Sequence, residues 1–306
     1  MVSERPGSAT PSELTVLSSE ETGGLGVLRL HHPPGTFRPT PATRITLEAV
    51  GREGEALEGV GLDWGCGIGV LSIAAARIPG VEHVWGTDLA PANVAAARLN
   101  ARLNAVEDRT GFIVADSLTP LEPEAGAAGV AAVPGAAAGA HAADGSGAPD
   151  EKELVERFRE ACSAGFDFLV ANPPAYPGGD GFDFRRLLLR DAGRVLKPGA
   201  PVLLQALSAY GAVRVRGLER DAPGFVYEGV ALRTPLVPFG RTIKEVRTYL
   251  RRYAAAEEEG QPPYEFFADP RGEKPVNARV AARILDERGA KPWARWQVHR
   301  LRWRPS

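Results

Sequence analysis

Four acidic or amide side chains in this 306-residue chain lie where their chemistry can be used. Asp63, Asp88 and Asp116 each end an apolar stretch that is typical of a buried strand. Asn172 directly follows a fourth such stretch. Carboxylate oxygens at strand ends can accept hydrogen bonds from ribose hydroxyls or an adenine amino group, and an amide oxygen can accept them from an amine. The pattern predicts one site, at the ends of successive strands, for a nucleoside-like cofactor and an amine.

A glycine-rich turn supplies the backbone part of this site. Gly65, Gly67 and Gly69 lie between an apolar strand and the helix-like residues 70–77. Because they lack a Cβ atom, they let the backbone approach a ligand closely, and the first-turn N–H groups of the helix remain as donors. A dinucleotide-binding turn would need its third glycine one position later, where Val70 stands. The spacing therefore favours a nucleoside ligand without a phosphate.

Two of the aspartates have alternative interpretations. Asp88 can accept hydrogen bonds from both ribose hydroxyls, or it can cap the helix predicted after Pro91. Asp116, with Ser117, is placed to reach an adenine amino group, or it is an ordinary turn residue. The sequence leaves both alternatives open.

The segment Asn172-Pro173-Pro174 can form a rigid pair of hydrogen-bond acceptors. Two prolines lock φ, so the loop after the strand is held rigid. The Asn172 side-chain oxygen and the Pro173 carbonyl can then accept both protons of one planar amino group and stabilise the positive charge that develops on its nitrogen. This arrangement suits the exocyclic amine of a nucleobase or a side-chain amide, and it needs no general base before the bond forms.

Residues 61–118 and 166–210 resemble class I S-adenosylmethionine-dependent methyltransferases, and in particular the branch in which Asn-Pro-Pro precedes an aromatic residue. The resemblance implies S-adenosylmethionine as the cofactor. It implies that the glycine turn lines the methionine and ribose, that Asp88 binds the ribose, and that Asp116 and Ser117 meet the adenine. The implied cofactor-binding residues are Asp63, Gly65, Cys66, Gly67, Gly69, Asp88, Leu89, Asp116 and Ser117.

Position 175 departs from that branch, because Ala175 stands where the stacking aromatic residue is usual and Tyr176 follows it. We expect Tyr176 to contact the substrate, with packing over Pro174 and Pro177 as the alternative. The predicted catalytic residues are Asn172, Pro173, Pro174 and Tyr176.

A loop ahead of the first core helix is similar to one that borders the substrate cleft in the same branch. The resemblance assigns it four substrate residues, Phe37, Arg38, Thr40 and Thr43. Thr40 and Thr43 can also be plain helix N-caps, with the helix starting at about Ile45.

The predicted fold class is α/β, a Rossmann-like, seven-stranded and mostly parallel sheet with an N-terminal β-hairpin and a C-terminal helical insertion before the last strand. Residues 1–44 form the extension with the hairpin and pocket loop. Residues 45–239 form the S-adenosylmethionine-binding core, in which the Ala- and Gly-rich residues 121–149 are a flexible linker. Residues 240–306 hold the insertion, with a helix over 242–258, and a final strand over 296–303.

Composition indicates an intracellular enzyme. The net charge is -2, two cysteines give no disulfide framework, and neither a signal peptide nor a membrane span is visible. We therefore expect a cytoplasmic protein with no membrane partner. His31-His32 lacks a third ligand at metal-binding spacing, so no metal site is predicted and the pair is interpreted as a solvated strand end.

The C-terminal segment is rich in arginine and tryptophan. Such a segment can bind phosphates and stack on bases, but packed tryptophans alternating with solvated arginines also occur in an edge strand. Nucleic acid is a possible partner on the first interpretation.

The predicted function is methyl transfer to a planar amino group, with a nucleobase of RNA or DNA marginally favoured. A protein glutamine amide is the main alternative, a small metabolite amine is another, and a non-catalytic cofactor-binding module is the alternative outside enzymes.

Overall fold

The computed structural model describes residues 13–120, 150–174 and 179–305. Their strands are β1 (Glu13–Leu17), β2 (Leu28–His32), β3 (Gly59–Trp64), β4 (Val81–Asp88), β5 (Thr110–Asp116), β6 (Thr119–Pro120), β7 (Phe168–Ala171), β8 (Pro201–Leu207), β9 (Phe225–Arg233), β10 (Val237–Pro238), β11 (Phe266–Phe267), β12 (Pro275–Val276), β13 (Trp293–Ala294) and β14 (Trp296–Trp303). Their helices are α1 (Pro41–Arg52), α2 (Val70–Ala75), α3 (Pro91–Leu103), α4 (Glu151–Ala164), α5 (Asp183–Ala192), α6 (Gly211–Asp221), α7 (Ile243–Glu258) and α8 (Ala278–Arg288). Within these ranges, no helix combines the length and apolar character needed to cross a membrane. The predicted linker, residues 121–149, lies outside the described residues.

The large sheet has the strand order β6-β5-β4-β3-β7-β8-β14-β9. Strands β3, β4, β5, β7 and β8 are parallel, and β14 runs antiparallel to its neighbours β8 and β9. The predicted mostly parallel α/β sheet is confirmed. Seven strands match the predicted number, and the eighth is the two-residue β6, which pairs antiparallel with the end of β5.

Strand β7 shows how the sheet separates two apolar layers. Phe168 and Val170 pack in the layer that contains α1, α2 and α3, whereas Leu169 and Ala171 pack in the layer that contains α4 to α8. All four side chains are fully buried, as expected for a central parallel strand with both faces covered. A Cβ atom on Gly61 of the neighbouring β3 would lie 2.1 Å from the Phe168 ring, so this close packing requires glycine.

The predicted N-terminal hairpin is present, since β1 and β2 pair antiparallel. Asn100 on α3 holds β2 in place: its Oδ1 accepts the His31 N–H (2.7 Å) and its Nδ2 donates to the His31 carbonyl (3.1 Å). The neighbouring His32 ends β2 as predicted, but it is buried, with 4% of its surface exposed. The expectation of a solvated histidine was therefore wrong for His32.

Helix α1 begins at Pro41, four residues earlier than the sequence indicated. Thr40 is the N-cap, and its Oγ1 accepts the Thr43 N–H (3.3 Å) while its own N–H donates to Thr43 Oγ1 (3.1 Å). This capping box satisfies two otherwise free donors and, with proline at the first helical position, starts the helix. The N-cap interpretation is correct for Thr40, and Thr43 is fixed in the first turn.

The C-terminal insertion contains the predicted helix as α7, with Thr242 as its N-cap. It also contains α8 and three strands of a small sheet with the order β10-β13-β11-β12, in which β10 lies just before residue 240. The sequence indicated neither α8 nor this sheet. The strands of that sheet have two residues each, too few for an alternating pattern to be visible.

The predicted final strand is β14, but it is not an edge strand, because β9 lies outside it. The Trp303 ring packs 4.7 Å from the Phe225 ring. Arg302 forms an ion pair with Glu228, and Arg300 forms one with Glu53 at 3.2 Å. Much of the arginine and tryptophan of this segment therefore serves packing and ion pairing inside the fold.

Candidate functional site

The polar residues of the predicted site lie along the edge of the sheet that is formed by the carboxyl ends of its parallel strands. Asp63 on β3 pairs in register with Gly86 on β4 and Val170 on β7. Asp88 ends β4, and Asn172 directly follows β7. Because the three strands are adjacent and parallel, their carboxyl ends bring Asp63, Asp88 and Asn172 to the same edge.

The glycine turn has the backbone conformation that requires glycine. Gly65, Gly67 and Gly69 have φ angles of 74°, 55° and 84°, in the left-handed region. The N–H groups of Gly65 and Cys66 donate to the Thr87 carbonyl over 2.9 Å and 2.8 Å, which ties the turn to β4. Apart from its two chain neighbours, no described residue has an atom within 4 Å of the position that a Cβ on Gly65 would occupy. The turn therefore borders open space at Gly65.

The Asp88 carboxylate is held by three hydrogen bonds. Its Oδ2 accepts the Gly67 N–H (2.8 Å), and its Oδ1 accepts the Ala90 N–H (2.9 Å) and Asn93 Nδ2 (3.1 Å). The N-cap of α3 is Ala90, so the N-cap alternative for Asp88 was wrong. The bonds fix the carboxylate beside the turn and leave an acceptor position on Oδ2. Leu89 follows it and is 44% exposed.

Asp63 is buried, with 1% of its surface exposed. Its Oδ2 accepts both the backbone N–H of Ser72 (2.9 Å) and the Ser72 hydroxyl (2.6 Å). Its Oδ1 has no hydrogen-bond partner among the described residues. Burial raises the pKa of Asp63 to about 7, against the opposing effect of the Ser72 hydrogen bonds. A buried carboxylate with one unused oxygen suits a cationic ligand, which would favour its charged form.

Asp116 and Ser117 stand at the same edge, at the end of β5 on the other side of β4. Asp116 is exposed, and Ser117 has a φ of 56° where the chain turns into β6. Both are therefore close in the sheet to the end of β4, where Asp88 lies.

Two of the loop residues predicted to border the cleft touch this edge. The Phe37 N–H donates to Asn93 Oδ1 (2.9 Å), and the Phe37 ring packs over the turn, since a Cβ on Gly67 would lie 3.0 Å from its Cδ1. Asn172 Nδ2 donates to Thr43 Oγ1 over 3.1 Å. Thr40 is linked to Thr43 by the hydrogen bonds of the capping box.

Arg38 points elsewhere. Its guanidinium pairs with Glu13 at 2.6 Å, and the two side chains are 68% and 59% exposed. The structure thus brings Phe37 and Thr43 to the site but directs the Arg38 side chain to the surface.

Arg185 is a site residue that the sequence reasoning missed. Its guanidinium donates to the carbonyls of Pro173 (3.2 Å) and Pro174 (3.5 Å) and to the Gln205 carbonyl (2.9 Å) and Oε1 (3.2 Å). All four acceptors are uncharged, and the rings of Phe182 and Tyr210 lie 5.2 Å and 5.3 Å from the guanidinium carbon. Burial lowers the pKa of Arg185. The arginine therefore holds the two proline peptides that follow Asn172.

A signal for Arg185 was present in the sequence. The buried positions of α5 recur at helical spacing, and they are Arg185, Leu188, Leu189 and Ala192. An arginine on the apolar stripe of a helix is unusual because burying a charge is costly, so it marks a residue with a specific partner.

Ala175 and Tyr176 lie in residues 175–178, outside the described residues. The roles assigned to Tyr176 by sequence stay predictions. Among the residues that the structure does describe, no group of three or more His, Cys, Asp or Glu side chains is placed to hold a metal ion.

Residues 35–129 match the family model described as ribosomal protein L11 methyltransferase (PrmA). Similar proteins include the ribosomal protein L11 methyltransferases of Dechloromonas aromatica (strain RCB), 46% identical over 112 residues, and of Thiobacillus denitrificans (strain ATCC 25259 / T1), 46% identical over 75 residues. The first match covers 36% of this chain and 36% of the relative, and the second covers 24% of each. The chain therefore matches only about a third of the length of the first of these relatives.

The fold is shared with a solved methyltransferase. The T. Thermophilus 16S rRNA methyltransferase RsmC, in complex with AdoMet and guanosine, superposes with a TM-score of 0.50 at 22% identity, over 74% of this chain and 49% of that one. The chain thus has the fold of class I S-adenosylmethionine-dependent methyltransferases.

Proposed function

We propose that this protein is an S-adenosylmethionine-dependent methyltransferase that acts on a planar amino group, with a nucleobase amino group as the favoured acceptor. One observation carries the proposal: the glycine turn, Asp63, Asp88 and the Asn172 amide share one edge of the sheet. A cofactor and an amine bound there lie next to each other, as transfer between them requires.

The residues present fit the cofactor. The open space beside Gly65 and the unpartnered Oδ1 of Asp63 provide room and a counter-charge for a cationic ligand, and Asp88 offers an acceptor for its ribose. The Phe37 ring packs against the turn at Gly67. When bound, S-adenosylmethionine supplies an electrophilic methyl group on a sulfonium. We assign the remaining cofactor contacts to Asp116, Ser117 and Leu89 from their place at this edge.

Asn172 and Pro173 orient the acceptor. Because Thr43 takes the hydrogen bond from Asn172 Nδ2, the Oδ1 oxygen is left to accept one amino proton. The Pro173 carbonyl has two lone pairs, one of which meets Arg185, so the second can accept the other amino proton. Two acceptors on one planar amine turn its lone pair out of their plane and stabilise the positive charge that forms on the nitrogen.

Arg185 is a positioning residue in this scheme. It holds the Pro173 and Pro174 carbonyls against Gln205, so that the acceptor loop is fixed before the substrate arrives. A fixed acceptor pair lowers the barrier by removing the reorganisation that a mobile loop would need.

A ribosomal protein is the second candidate acceptor. It is favoured by the match of residues 35–129 to a family whose name specifies ribosomal protein L11. That match covers the loop of residues 37–43 and the residues assigned to the cofactor, but it ends before Asn172, so it says little about the acceptor loop. The paired acceptors of Asn172 and Pro173 fit a planar NH2 group with two protons, which a nucleobase amine or a protein glutamine amide offers and a lysine ammonium group does not.

The test is methyl transfer from radiolabelled S-adenosylmethionine to total RNA, DNA and cell-extract protein, each offered separately. We expect label in nucleic acid that nuclease removes and protease does not, and we expect Asn172→Ala to abolish it while the affinity for S-adenosylhomocysteine stays within about twofold. Label in protein alone would select the second candidate. Label in none of the three would instead support the alternative of a non-catalytic cofactor-binding module.

A further inference from the structure

A cavity of about 290 Å3, separate from the site described above, lies on the α6 side of β9 and β14. Its lining includes three arginines, Arg216, Arg233 and Arg295. Among the described residues that line it, the acidic side chain is Glu265, and its Oε1 already accepts the Ala212 N–H over 2.9 Å. The cavity therefore has an excess of positive charge.

The arginine end of this cavity lies at the same edge of the sheet as Asn172. Arg233 pairs in register with Gln297, and Gln297 pairs with Ala206 near the carboxyl end of β8. From β7, which Asn172 follows, the order is β8, β14 and β9. Three strand spacings of about 4.8 Å place β9 roughly 14 Å from β7. One extended ligand can span the two places.

Apart from the arginines and Glu265, the cavity lining is uncharged, and it includes the planar rings of Tyr227, Phe267 and His299. Tyr227 and Phe267 present rings, and the Arg295 guanidinium carbon lies 6.0 Å from the Phe267 ring centre. His299, with 3% of its surface exposed, has Nδ1 3.1 Å from the Tyr227 hydroxyl, and its Nε2 has no hydrogen-bond partner among the described residues. Burial lowers the pKa of His299 to about 4, so the imidazole is neutral at pH 7. The neutral imidazole therefore adds no charge to this part of the lining.

We propose that this cavity binds a nucleotide of a single-stranded nucleic acid, next in the strand to the base whose amino group reaches Asn172. The inference rests on the proposed function. Arg233 and Arg295 would bind the phosphodiester, since guanidinium groups match phosphate oxygens. The rings of Tyr227 and Phe267 offer surfaces for stacking, which single-stranded nucleic acids use widely. An acidic peptide would use the arginines but not the rings.

The experiment uses the full chain and a fluorescein-labelled single-stranded RNA, with anisotropy followed over a series of salt concentrations. The double variant Arg233→Gln, Arg295→Gln is compared with the double control variant Arg102→Gln, Arg251→Gln, which removes the same two charges from exposed positions on α3 and α7. We expect the double variant to bind roughly tenfold more weakly and its salt slope to fall by about 0.7 for each arginine that contacts a phosphate, while the control stays unchanged. Equal affinities for the double variant and the control would overturn the proposal.

Further measurements separate this proposal from the proposed function. Because binding is measured without methyl transfer, RNA affinity that depends on Arg233 and Arg295 supports the cavity even if no base is methylated. If the protein labels nucleic acid but the double variant keeps its KM for the oligonucleotide, the function stands and the cavity proposal is wrong. Polyglutamate that competes as well as RNA of equal charge would also overturn it in favour of an acidic chain. Arg233→Lys, which keeps the charge, should retain most of the affinity.

Discussion

Asn172 Nδ2 donates a hydrogen bond to Thr43 Oγ1 over 3.1 Å, between residues that are 129 positions apart in the chain. The bond joins the loop after β7 to the first turn of α1. Thr43 is itself held by the capping box with Thr40, so the orientation of the Asn172 amide depends on how α1 begins. The start of a helix outside the sheet thereby sets the orientation of the Asn172 amide, whose Oδ1 we propose as an acceptor for the substrate amine.

Thr43→Val should reduce methyl transfer. The valine keeps the shape but cannot accept the Asn172 hydrogen bond, and loss of a bond worth about 1 kcal/mol predicts a fall in kcat of roughly fivefold to tenfold. Thr43→Ser keeps the hydroxyl and should retain most activity. Initial rates and thermal unfolding are measured for both. If both variants lose activity in proportion to stability, Thr43 acts only through the capping box.

Arg185→Ala should lower kcat by tenfold or more and leave the affinity for S-adenosylhomocysteine unchanged. The Pro173 and Pro174 carbonyls lose their shared donor, so the acceptor loop is no longer fixed. Millimolar guanidinium chloride should restore part of the rate by filling the vacated space between the Phe182 and Tyr210 rings, whereas sodium chloride at the same concentration should not.

Arg185→Lys is the matched variant for this prediction. It keeps the charge but cannot bridge the Pro173 carbonyl and Gln205 in the same way, so we expect an intermediate rate. A folded Arg185→Ala protein that guanidinium does not rescue would show that the arginine stabilises the core without positioning the loop.

The sequence was sufficient to predict the sheet and the glycine turn. Apolar runs and their period define the strands, and β14 begins and ends at the predicted residues 296 and 303. The turn glycines were recognisable because their spacing is local. The shared edge of Asp63, Asp88 and Asn172 then follows from strand adjacency.

The contacts that complete the site could not be predicted in the same way. Two contacts join separate segments of the chain. Asn172 donates a hydrogen bond to Thr43, and Arg185 donates to the proline carbonyls. A local pattern does not identify these partners: the same threonine caps a helix, and the place of Arg185 on the apolar stripe of α5 marks a buried arginine without showing which carbonyls it binds. For Arg38 the sequence predicted a site contact that the structure does not show. A loop position near the site does not determine where a long side chain points.

The free energy of unfolding of the cofactor-free protein should decrease as pH rises from about 4 to 7. Asp63 has a folded pKa of about 7 and an unfolded value near 3.9, so in this range the folded state binds more protons than the unfolded state. Asp63→Asn has no charge to bury and should lack this contribution, by at most about 1.4 kcal/mol per pH unit. Urea unfolding of both proteins at several pH values measures the difference. Parallel pH profiles would show that Asp63 is not buried with a raised pKa.

Gly65→Ala should weaken cofactor binding by tenfold or more with a modest loss of stability. A Cβ on Gly65 meets no atom of the other described residues within 4 Å, its chain neighbours apart, so the methyl group projects into the open space that we assign to the cofactor. The φ of 74° adds backbone strain of about 1–2 kcal/mol, which any alanine in the left-handed region incurs. Titration calorimetry with S-adenosylhomocysteine and thermal unfolding measure the two effects separately.

Gly289→Ala is the matched control for Gly65→Ala. Gly289 has a φ of 65°, and in the part of the chain that the structure describes no residue beyond its two neighbours has an atom within 4 Å of its Cβ position. It ends α8 in the C-terminal insertion. Both substitutions should cost similar stability because the strain is the same, and only Gly65→Ala should lose affinity. Cofactor binding that Gly65→Ala leaves intact would mean that the space beside the glycine turn belongs to something other than S-adenosylmethionine, and the assignment of Asp63 as its counter-charge would fail with it.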